Sequence, residues 1–286
     1  MISDITLGQF FPGYSLLHKL DPRTKIIIAI IFIAAVFVAG SPMAFIILSL
    51  FTVSLVFVGR ISIKVILKGL KPLIFILIFT SLLNVFMTVG EGTPLLEFHF
   101  IKIYTEGIIR ALFMSLRVVL LIIGSSMLLT YTTSPISLTD GIESLLSPLK
   151  LIGLPVHSFA MMMSIALRFI PTLVEETEKI MNAQKSRGAD FSSGGLFKRV
   201  RALIPLLVPL FVSAFKRADE LATAMECRCY RGDKNRTKLV KLSFRGRDFI
   251  TMLVFVLLLA LVITLKFLPY SFEVDNLIYN IIFYTI

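Results

Sequence analysis

Five long apolar stretches, separated by polar or charged connections, dominate this chain of 286 residues. They cover residues 26–39, 43–58, 73–89, 108–131 and 249–268. Because a helix needs about 20 residues to cross a bilayer, each stretch is a candidate transmembrane helix, although the first two are short. Only Gly40, Ser41 and Pro42 separate these two, which predicts a tight helical hairpin that either crosses the membrane or re-enters it.

The charges in the connections give the spans a consistent orientation. Basic residues without any acid follow the second span, whereas acids predominate after the third span and after the fifth. The connection after the second span contains Arg60, Lys64, Lys68 and Lys71; the connection after the third contains Glu91, Glu97, Lys102 and Glu106; and the segment after the fifth contains Glu273 and Asp275. Since Lys and Arg are enriched in cytoplasmic connections, we predict a cytoplasmic N terminus, residues 60–71 inside, residues 90–107 outside and the C terminus outside.

The composition is that of a membrane protein. The chain is 56% hydrophobic and 16% charged, whereas soluble proteins are about a quarter charged. Residues 132–247, between the fourth and fifth spans, hold most of the basic charge and are predicted to be cytoplasmic. The basic residues at 231–247 are expected to contact anionic lipid. Nucleic acid is not an expected partner, because no stacking aromatics or DNA-binding motif accompany them.

The cytoplasmic segment has the pattern of one short and two long helices. The short helix is predicted over residues 138–149, and the long ones begin at Ser158 and Leu196. In each long helix, one face repeats with alternating spacings of four and three. The face residues are Phe159, Met163, Ala166, Ile170, Leu173, Thr177, Ile180 and Gln184, then Leu196, Val200, Leu203, Leu207, Leu210, Ala214, Leu221 and Ala224. Prolines at 171, 205 and 209 predict bends.

Each long helix is predicted to end in an arginine between two small residues. The two motifs are Ser186-Arg187-Gly188 and Cys227-Arg228-Cys229. A single arginine at a helix C terminus commonly serves only to compensate the helix dipole. Two such tips on matched helices, with small neighbours that leave the guanidinium accessible, instead favour insertion into a groove of a partner protein.

The chain carries few residues suited to catalysis or metal binding. The predicted spans contain no Asp, Glu or His, which argues against a membrane-embedded enzyme or an ion-coupled carrier. No phosphate-binding loop of the form Gly-x-x-x-x-Gly-Lys-Ser/Thr occurs, so the chain is not expected to hydrolyse ATP. Cys227 and Cys229 would supply only two of the four ligands of a closed zinc site, so no metal is expected.

Two arginines in the fourth span require a separate interpretation. Arg110 lies close enough to the outer end of the span to extend its charge to the membrane surface. Arg117 lies deeper, where a charge is costly and usually faces protein or water. We interpret it as hydrogen-bonded to backbone carbonyls or to Asn84; the alternative is contact with a partner subunit or a lipid headgroup.

Several segments resemble the transmembrane T component of energy-coupling factor (ECF) transporters, the EcfT/CbiQ family of prokaryotic vitamin and micronutrient importers. The resemblance lies in residues 15–25 (Ser-Leu-Leu-His-Lys-Leu-Asp-Pro-Arg-Thr-Lys), 131–135, 166–173, 183–188 and 218–229. It covers nearly the whole chain, and the paired arginine motifs make it specific. The family's usual motif is Ala-Arg-Gly, from which the small residues Ser186, Cys227 and Cys229 depart.

The resemblance implies an all-α, multi-pass protein of the prokaryotic cell membrane, with about five transmembrane helices. We divide it into a bundle of four spans (1–131), one short and two long crossing coupling helices (132–232), a basic linker (233–247), and the last span with its outer tail (248–286). The implied role is that of a non-catalytic coupling subunit. It transmits ATP-driven movement of two cytoplasmic ATPases to a substrate-binding S component for vitamin or micronutrient uptake.

The resemblance also implies particular partners and contact residues. Arg187 and Arg228, with their small neighbours, would dock into two ABC-type ATPase subunits, which bind the ATP and Mg²⁺; no cofactor is expected in this chain. The membrane part and helix surfaces would hold the S component. The chain is expected to be shared among several S components. The alternative is a T component dedicated to a cobalt, nickel or biotin importer.

Overall fold

The computed structural model describes residues 10–88, 96–98, 101–189, 191, 195–230, 232 and 242–267. The described residues form two compact units. We call residues 10–134 and 242–267 the bundle unit, and the described residues between 135 and 241 the long-helix unit. The structure thus groups the last span with the first four, although more than a hundred residues separate them in the sequence.

Helices account for nearly all of the described chain, as predicted for an all-α membrane protein. In chain order they are α1 (Pro22–Val38), α2 (Pro42–Gly59), α3 (Ile63–Leu70), α4 (Ile74–Met87), α5 (Thr105–Ser125), α6 (Pro135–Leu145), α7 (Val156–Ser186), α8 (Leu196–Cys227) and α9 (Gly246–Phe267). A short antiparallel hairpin of β1 (Leu96–Phe98) and β2 (Ile101–Ile103) precedes α5. The hydrophobic pattern did not predict this hairpin.

Capping residues set the beginnings of α1 and α2. Asp21 caps α1 by accepting a hydrogen bond from the backbone N–H of Arg23 at 2.9 Å, and Ser41 caps α2 in the same way. A proline follows each cap at the first helical position, where its missing N–H has no cost. Three residues therefore suffice to end α1 and start α2, as the short connection predicted. The two helices do not pack along each other as a hairpin, since each makes its main contacts with α5 and α9.

Within the described residues, five helical runs are long and apolar enough to cross a membrane. They are Pro42–Gly59, Ile63–Met87, Thr105–Thr130, Val156–Ser186 and Gly246–Phe267. Four of them match the predicted spans 43–58, 73–89, 108–131 and 249–268. The first predicted span, 26–39, forms α1, which has 17 residues and is shorter than the others. The remaining run is α7, which belongs to the segment 132–247 that was predicted to be cytoplasmic because it holds most of the basic charge.

One predicted connection is helical in the structure. Residues 60–71 were predicted as a loop, but α3 begins at Ile63 and continues through a 3-10 turn at Lys71–Leu73 into α4. The basic residues recur every three or four positions and share a face of α3, so the segment keeps its charge on one side while remaining helical. Other predictions lie outside the described residues: Glu91, Glu273, Asp275 and most of the basic linker 233–247.

Helix α1 forms the centre of the bundle unit. Ile28, Phe32 and Val36 are fully buried, and α1 contacts both α5 and α9. The ring of Phe32 meets the ring of Phe255 edge-on, with centroids 6.5 Å apart. Gly124 of α5 lies against the same phenylalanine, where any side chain would overlap the ring. The opposite face of α1 is apolar as well, although Ile30 and Phe37 there are 61% and 62% exposed, as expected for a helix with one face toward protein and the other toward lipid.

The first turn of α1 binds the two chain segments that border the long-helix unit. Lys25 is almost fully buried, and its ammonium donates a hydrogen bond to the carbonyl of Thr132 at 2.8 Å. Arg23 donates to the carbonyl of Leu242 at 3.3 Å, and its guanidinium lies 5.1 Å above the ring of Phe244. One helix end thus holds the chain both before residue 135 and after residue 241.

A buried aspartate completes this arrangement, which we call the junction cluster. One carboxylate oxygen of Asp248 accepts the backbone N–H of Asp21 at 2.9 Å, and the other accepts that of Arg245 at 2.8 Å. The ammonium of Lys25 interacts with the carboxylates of both Asp21 and Asp248. Hydrogen bonds and an opposite charge therefore offset part of the cost of burying these ionised groups.

Polar contacts hold the long-helix unit together. Helix α6 ends at Leu145 and passes into a 3-10 turn at Ser147–Ile152, so the predicted helix 138–149 begins three residues early and stops before Pro148. His157 of α7 bonds to Glu143 of α6 at 2.8 Å. Helices α7 and α8 each remain continuous through their internal prolines.

The predicted contact face of α8 is wrong in its first half. Leu203 and Leu207 are 45% and 47% exposed, whereas Leu206 is only 6% exposed. The sequence supplies leucines in both registers, so spacing alone could not choose between them. The later positions Leu210 and Leu221 are half-buried, as are Ile170, Leu173, Thr177, Ile180 and Gln184 of α7. Ala224, Phe159, Met163 and Ala166 are exposed, and the side chains of Leu196 and Val200 lie outside the described residues.

Candidate functional site: the paired arginine tips

Both long helices end immediately before the predicted arginines. Helix α7 stops at Ser186 and α8 at Cys227, so Arg187 and Arg228 occupy the capping position. Their backbone angles nearly coincide, with φ −89° and ψ 9° at Arg187 and φ −90° and ψ 17° at Arg228. Two unrelated stretches of sequence therefore present arginine in the same local backbone conformation.

The first tip is closed by a Schellman motif. The N–H of Gly188 donates to the carbonyl of Lys185 at 2.9 Å, and that of Ala189 donates to Gln184 at 3.0 Å. Gly188 has a φ of +86°, in the left-handed region that glycine adopts without a steric penalty. The small residue after Arg187 therefore has a backbone role, because it lets the chain turn away directly behind the arginine.

The second tip repeats this hydrogen-bond pattern with cysteine in place of glycine. The N–H of Cys229 donates to the carbonyl of Glu226 at 2.8 Å, and that of Tyr230 donates to Met225 at 3.0 Å. Cys229 has a φ of +58°. A residue with a Cβ pays about 1–2 kcal/mol for this conformation. The second tip thus keeps the geometry of the first, although cysteine disfavours the left-handed backbone conformation that this requires.

The side chains of Arg187 and Arg228 lie at the surface. All six motif residues are exposed, and within the described part of the chain neither Arg187 nor Arg228 makes a side-chain hydrogen bond or ion pair. Ser186 instead bonds backward to the carbonyl of Asn182 at 3.1 Å. Each guanidinium adds a positive charge where the helix dipole is negative, which stabilises the helix end without using the donor groups. These donors remain available for a planar acceptor.

The tips show no arrangement for metal binding or catalysis. Cys227 and Cys229 are exposed free thiols. Among the described residues, no three His, Cys, Asp or Glu side chains come together as a metal site. What the geometry does provide is a pair of exposed cations on rigid supports, which suits protein contact.

A polar contact between the long helices was missed by the sequence analysis. Glu176 of α7 was placed off the helix interface, yet its two carboxylate oxygens accept hydrogen bonds from Ser213 and Arg217 of α8, the latter at 3.0 Å. Ser213 and Arg217 are four residues apart, and therefore share one face of α8. That spacing, opposite an acid on the partner helix, was the signal available in the sequence.

The interpretation of Arg117 as a structural residue is confirmed in part. Its guanidinium donates to the carbonyl of Ala39, the residue that ends α1, at 2.6 Å. Asn84 does not take part, since it donates to the carbonyl of Thr80 in its own helix at 2.8 Å. Arg117 therefore closes the C terminus of α1, where unpaired carbonyls need donors.

Comparison with known proteins identifies the family. A profile of the family described as "Cobalt transport protein" (CbiQ) matches residues 13–239. The "Energy-coupling factor transporter transmembrane protein EcfT" of Clostridium kluyveri is 54% identical over 253 residues, 88% of this chain and 93% of the relative. The EcfT proteins of Ruminiclostridium cellulolyticum and Bacillus subtilis are 52% and 50% identical over 93% of this chain, covering 99% and 100% of the relatives.

These names describe the membrane component of a transporter, in agreement with the predicted non-catalytic role. The matched region contains both arginine motifs and all helices except α9. Together with five membrane-length apolar helices, the comparisons show a multi-pass membrane protein. The chain belongs to the CbiQ family, among the EcfT transmembrane proteins of energy-coupling factor transporters.

Proposed function

We propose that this chain couples two cytoplasmic ATPase subunits to a substrate-binding S component in an ECF-type importer for a vitamin or micronutrient. In this proposal Arg187 and Arg228 each enter a groove of one ATPase. The ATPases bind ATP and Mg²⁺, and their movement on ATP hydrolysis is passed through α7 and α8. The N terminus and the long-helix unit then lie in the cytoplasm, and the C terminus lies outside.

The repeated tip geometry is the observation that carries this proposal. A capping arginine followed by a left-handed residue occurs once at the end of α7 and again at the end of α8. Dipole compensation alone requires a positive charge, but it does not require the same backbone turn or an unpaired guanidinium. Two equivalent contact points fit two equivalent or similar partner subunits.

The long helices are suited to transmitting movement. They contain 31 and 32 residues, which at 1.5 Å per residue corresponds to about 46–48 Å each. The bonds from Glu176 to Ser213 and Arg217 join the two helices far from either tip. A displacement of one tip is therefore passed to both helices, because the polar contact resists their sliding past each other.

Charge reversal at the tips tests the proposal. Arg187→Glu and Arg228→Glu should each weaken ATPase binding by about 2 kcal/mol or more, about 30-fold, as expected for an arginine at the centre of an interface. Binding is measured by titrating purified ATPase subunits onto the chain in mild detergent, and uptake by radiolabelled vitamin in vesicles. Lys216→Glu is the matched control, since Lys216 is exposed on α8 away from the tip.

The control and the double variant decide the outcome. Lys216→Glu should bind the ATPases like the unaltered chain, and all variants should insert into the membrane in equal amounts. Undiminished uptake by the Arg187→Glu, Arg228→Glu double variant would refute the role proposed for the tips.

We propose that several S components share this T component. The relatives' names refer to energy-coupling factor transporters in general, whereas the family description refers to cobalt transport. Purification of the tagged chain from its host separates the two forms. A shared component should carry a mixture of small membrane proteins, and a component dedicated to cobalt, nickel or biotin should carry a single one.

A further inference from the structure

A cavity of about 400 Å³ opens at one end of the bundle unit. It lies where α1 passes into α2, where α4 ends and where α5 begins, the end that the predicted topology places outside the cell. Its lining residues are Gly40, Phe45, Thr88, Glu106, Ile109, Arg110, Phe113, Met114 and Arg117. Two guanidinium groups therefore face one recess, together with a single carboxylate.

Arg117 is fixed in place but has donors to spare. Its guanidinium lies 5.4 Å from the ring centre of Phe45, and one terminal nitrogen donates to Ala39. The other terminal nitrogen contacts only the thioether sulfur of Met114 at 3.9 Å, which is a weak acceptor. The Nε atom is buried and has no partner among the described residues. Most of the five N–H donors of this arginine thus lack a strong acceptor.

Arg110 brings a second, more exposed cation to the same recess. It lies seven residues before Arg117, which places both on one face of α5 about 10.5 Å apart along the axis. Arg110 also lines an adjoining hollow with Asn84, Met87 and Thr88. It is exposed, and it forms no hydrogen bond or ion pair with the described residues, although Glu106 precedes it by one turn.

We propose that this recess binds a phosphate group, supplied by the headgroup of a membrane phospholipid. Guanidinium groups match the geometry and charge of phosphate oxygens, which only accept hydrogen bonds. A bound phosphate satisfies the spare donors of Arg117 and neutralises the excess charge beside Arg110. The apolar lining by Ile109 and Phe113 accommodates the glycerol and acyl carbons that follow the phosphate in a lipid. This site is independent of ATPase docking.

Native mass spectrometry of the full chain in mild detergent tests the site. Phosphatidylglycerol should remain bound to the unaltered chain, whereas diacylglycerol, which lacks only the phosphate headgroup, should not. Arg110→Gln should weaken phosphatidylglycerol binding about tenfold or more, the loss expected for charge-assisted hydrogen bonds. Because Arg110 has no bonds within the described chain, this variant should fold normally. Arg117→Lys, which keeps the charge but loses the planar fork, should also bind less lipid.

Lys266→Gln provides the matched control. Lys266 is exposed near the end of α9, on the same predicted side of the membrane but outside the recess, so its removal should leave lipid binding unchanged. A parallel titration with inorganic phosphate identifies the source of the group. Displacement of lipid only at millimolar phosphate assigns the site to the headgroup, and displacement at micromolar phosphate assigns it to the free ion.

Three results would overturn the proposal. Equal retention of diacylglycerol and phosphatidylglycerol would show that the acyl chains alone are bound. Equal binding of phosphatidylglycerol to the Arg110→Gln variant and to the unaltered chain would show that the arginines do not contribute to lipid binding. If the Arg110→Gln variant bound lipid normally but no longer co-purified with a small membrane protein, the recess would be a protein-binding site.

Discussion

The left-handed backbone of Cys229 makes a quantitative prediction for Cys229→Gly. The substitution removes the Cβ at the one position of the second tip where φ is positive, and it leaves both capping hydrogen bonds intact. We expect the end of α8 to become more stable, although cysteine is replaced by the residue that usually disrupts helices. The reason is that residue 229 lies beyond the last helical residue.

The size of the effect follows from two opposing terms. A residue with a Cβ loses about 1–2 kcal/mol in the left-handed region. Glycine in turn loses about 0.5–1 kcal/mol more conformational freedom when it becomes ordered. The net gain spans about 0–1.5 kcal/mol; a gain of about 0.5–1 kcal/mol, in the middle of that range, lowers the population of the open tip about two- to fivefold.

Hydrogen exchange of peptides that span the tip measures this directly. The amides of Cys229 and Tyr230, which close the Schellman motif, should exchange about two- to fivefold more slowly in Cys229→Gly. Cys229→Ala is the matched control, since it removes the thiol but keeps the unfavourable φ, and should leave exchange nearly unchanged. Gly188→Ala in the first tip should have the opposite effect and accelerate exchange at Ala189.

The three variants together could contradict the reasoning. If Cys229→Ala slowed exchange as much as Cys229→Gly, the thiol and not the backbone would be responsible. Faster exchange in Cys229→Gly would mean that the side chain of Cys229 stabilises the tip through a contact with another group.

Three further predictions concern contacts that stabilise the bundle unit or join the two long helices. Asp248→Ala leaves the buried N–H of Asp21 and the partly buried N–H of Arg245 without an acceptor. It should destabilise the bundle by about 2–4 kcal/mol in a denaturation assay, and unaltered stability would contradict the junction cluster. Glu176→Ala should raise proteolysis between α7 and α8 and lower uptake more than ATPase binding; equal losses of both would argue against a transmitting role. Gly124→Ala places a Cβ 2.1 Å from the ring of Phe32 and should lower the free energy of unfolding, measured by thermal unfolding, by about 1–3 kcal/mol. Gly59→Ala is the control: its closest contact is the terminal methyl group of a methionine, so it should lower this free energy less.

The sequence predicts those features that depend on local chemistry. Long apolar runs must become membrane-length helices, since backbone groups have no other partners in lipid. Pro42 after Ser41, and Gly188 after Arg187, mark a helix start and a helix end through their own backbone preferences. The positions of Arg187 and Arg228 at two helix ends were predicted correctly, as was the carbonyl bond of Arg117, whereas the docking role of the arginines stays a prediction.

Features that depend on packing could not be predicted in this way. Leu206 and Leu207 are equally apolar, so the rotation of α8 depends on its neighbour α7 and on the bond to Glu176. The recess around Arg110 combines residues of α2 and α5 with Gly40 from the α1–α2 connection and Thr88 at the end of α4, and no spacing in the chain reveals such a combination. The positive φ of Cys229 could not be predicted from the sequence either, because cysteine rarely occupies the left-handed region.

The junction cluster has a consequence for recombination between members of this family. Thr132 and Leu242 both bind the first turn of α1, so the chain leaves the bundle and rejoins it at one helix end. Stretches with neighbouring ends are typical of inserted domains, which can be exchanged as single pieces. Residues 135–241 therefore form a natural cassette. A cassette from a relative would bring its own pair of arginine tips, and with them the ATPase contacts proposed above, to a bundle whose packing of α1, α5 and α9 is unchanged.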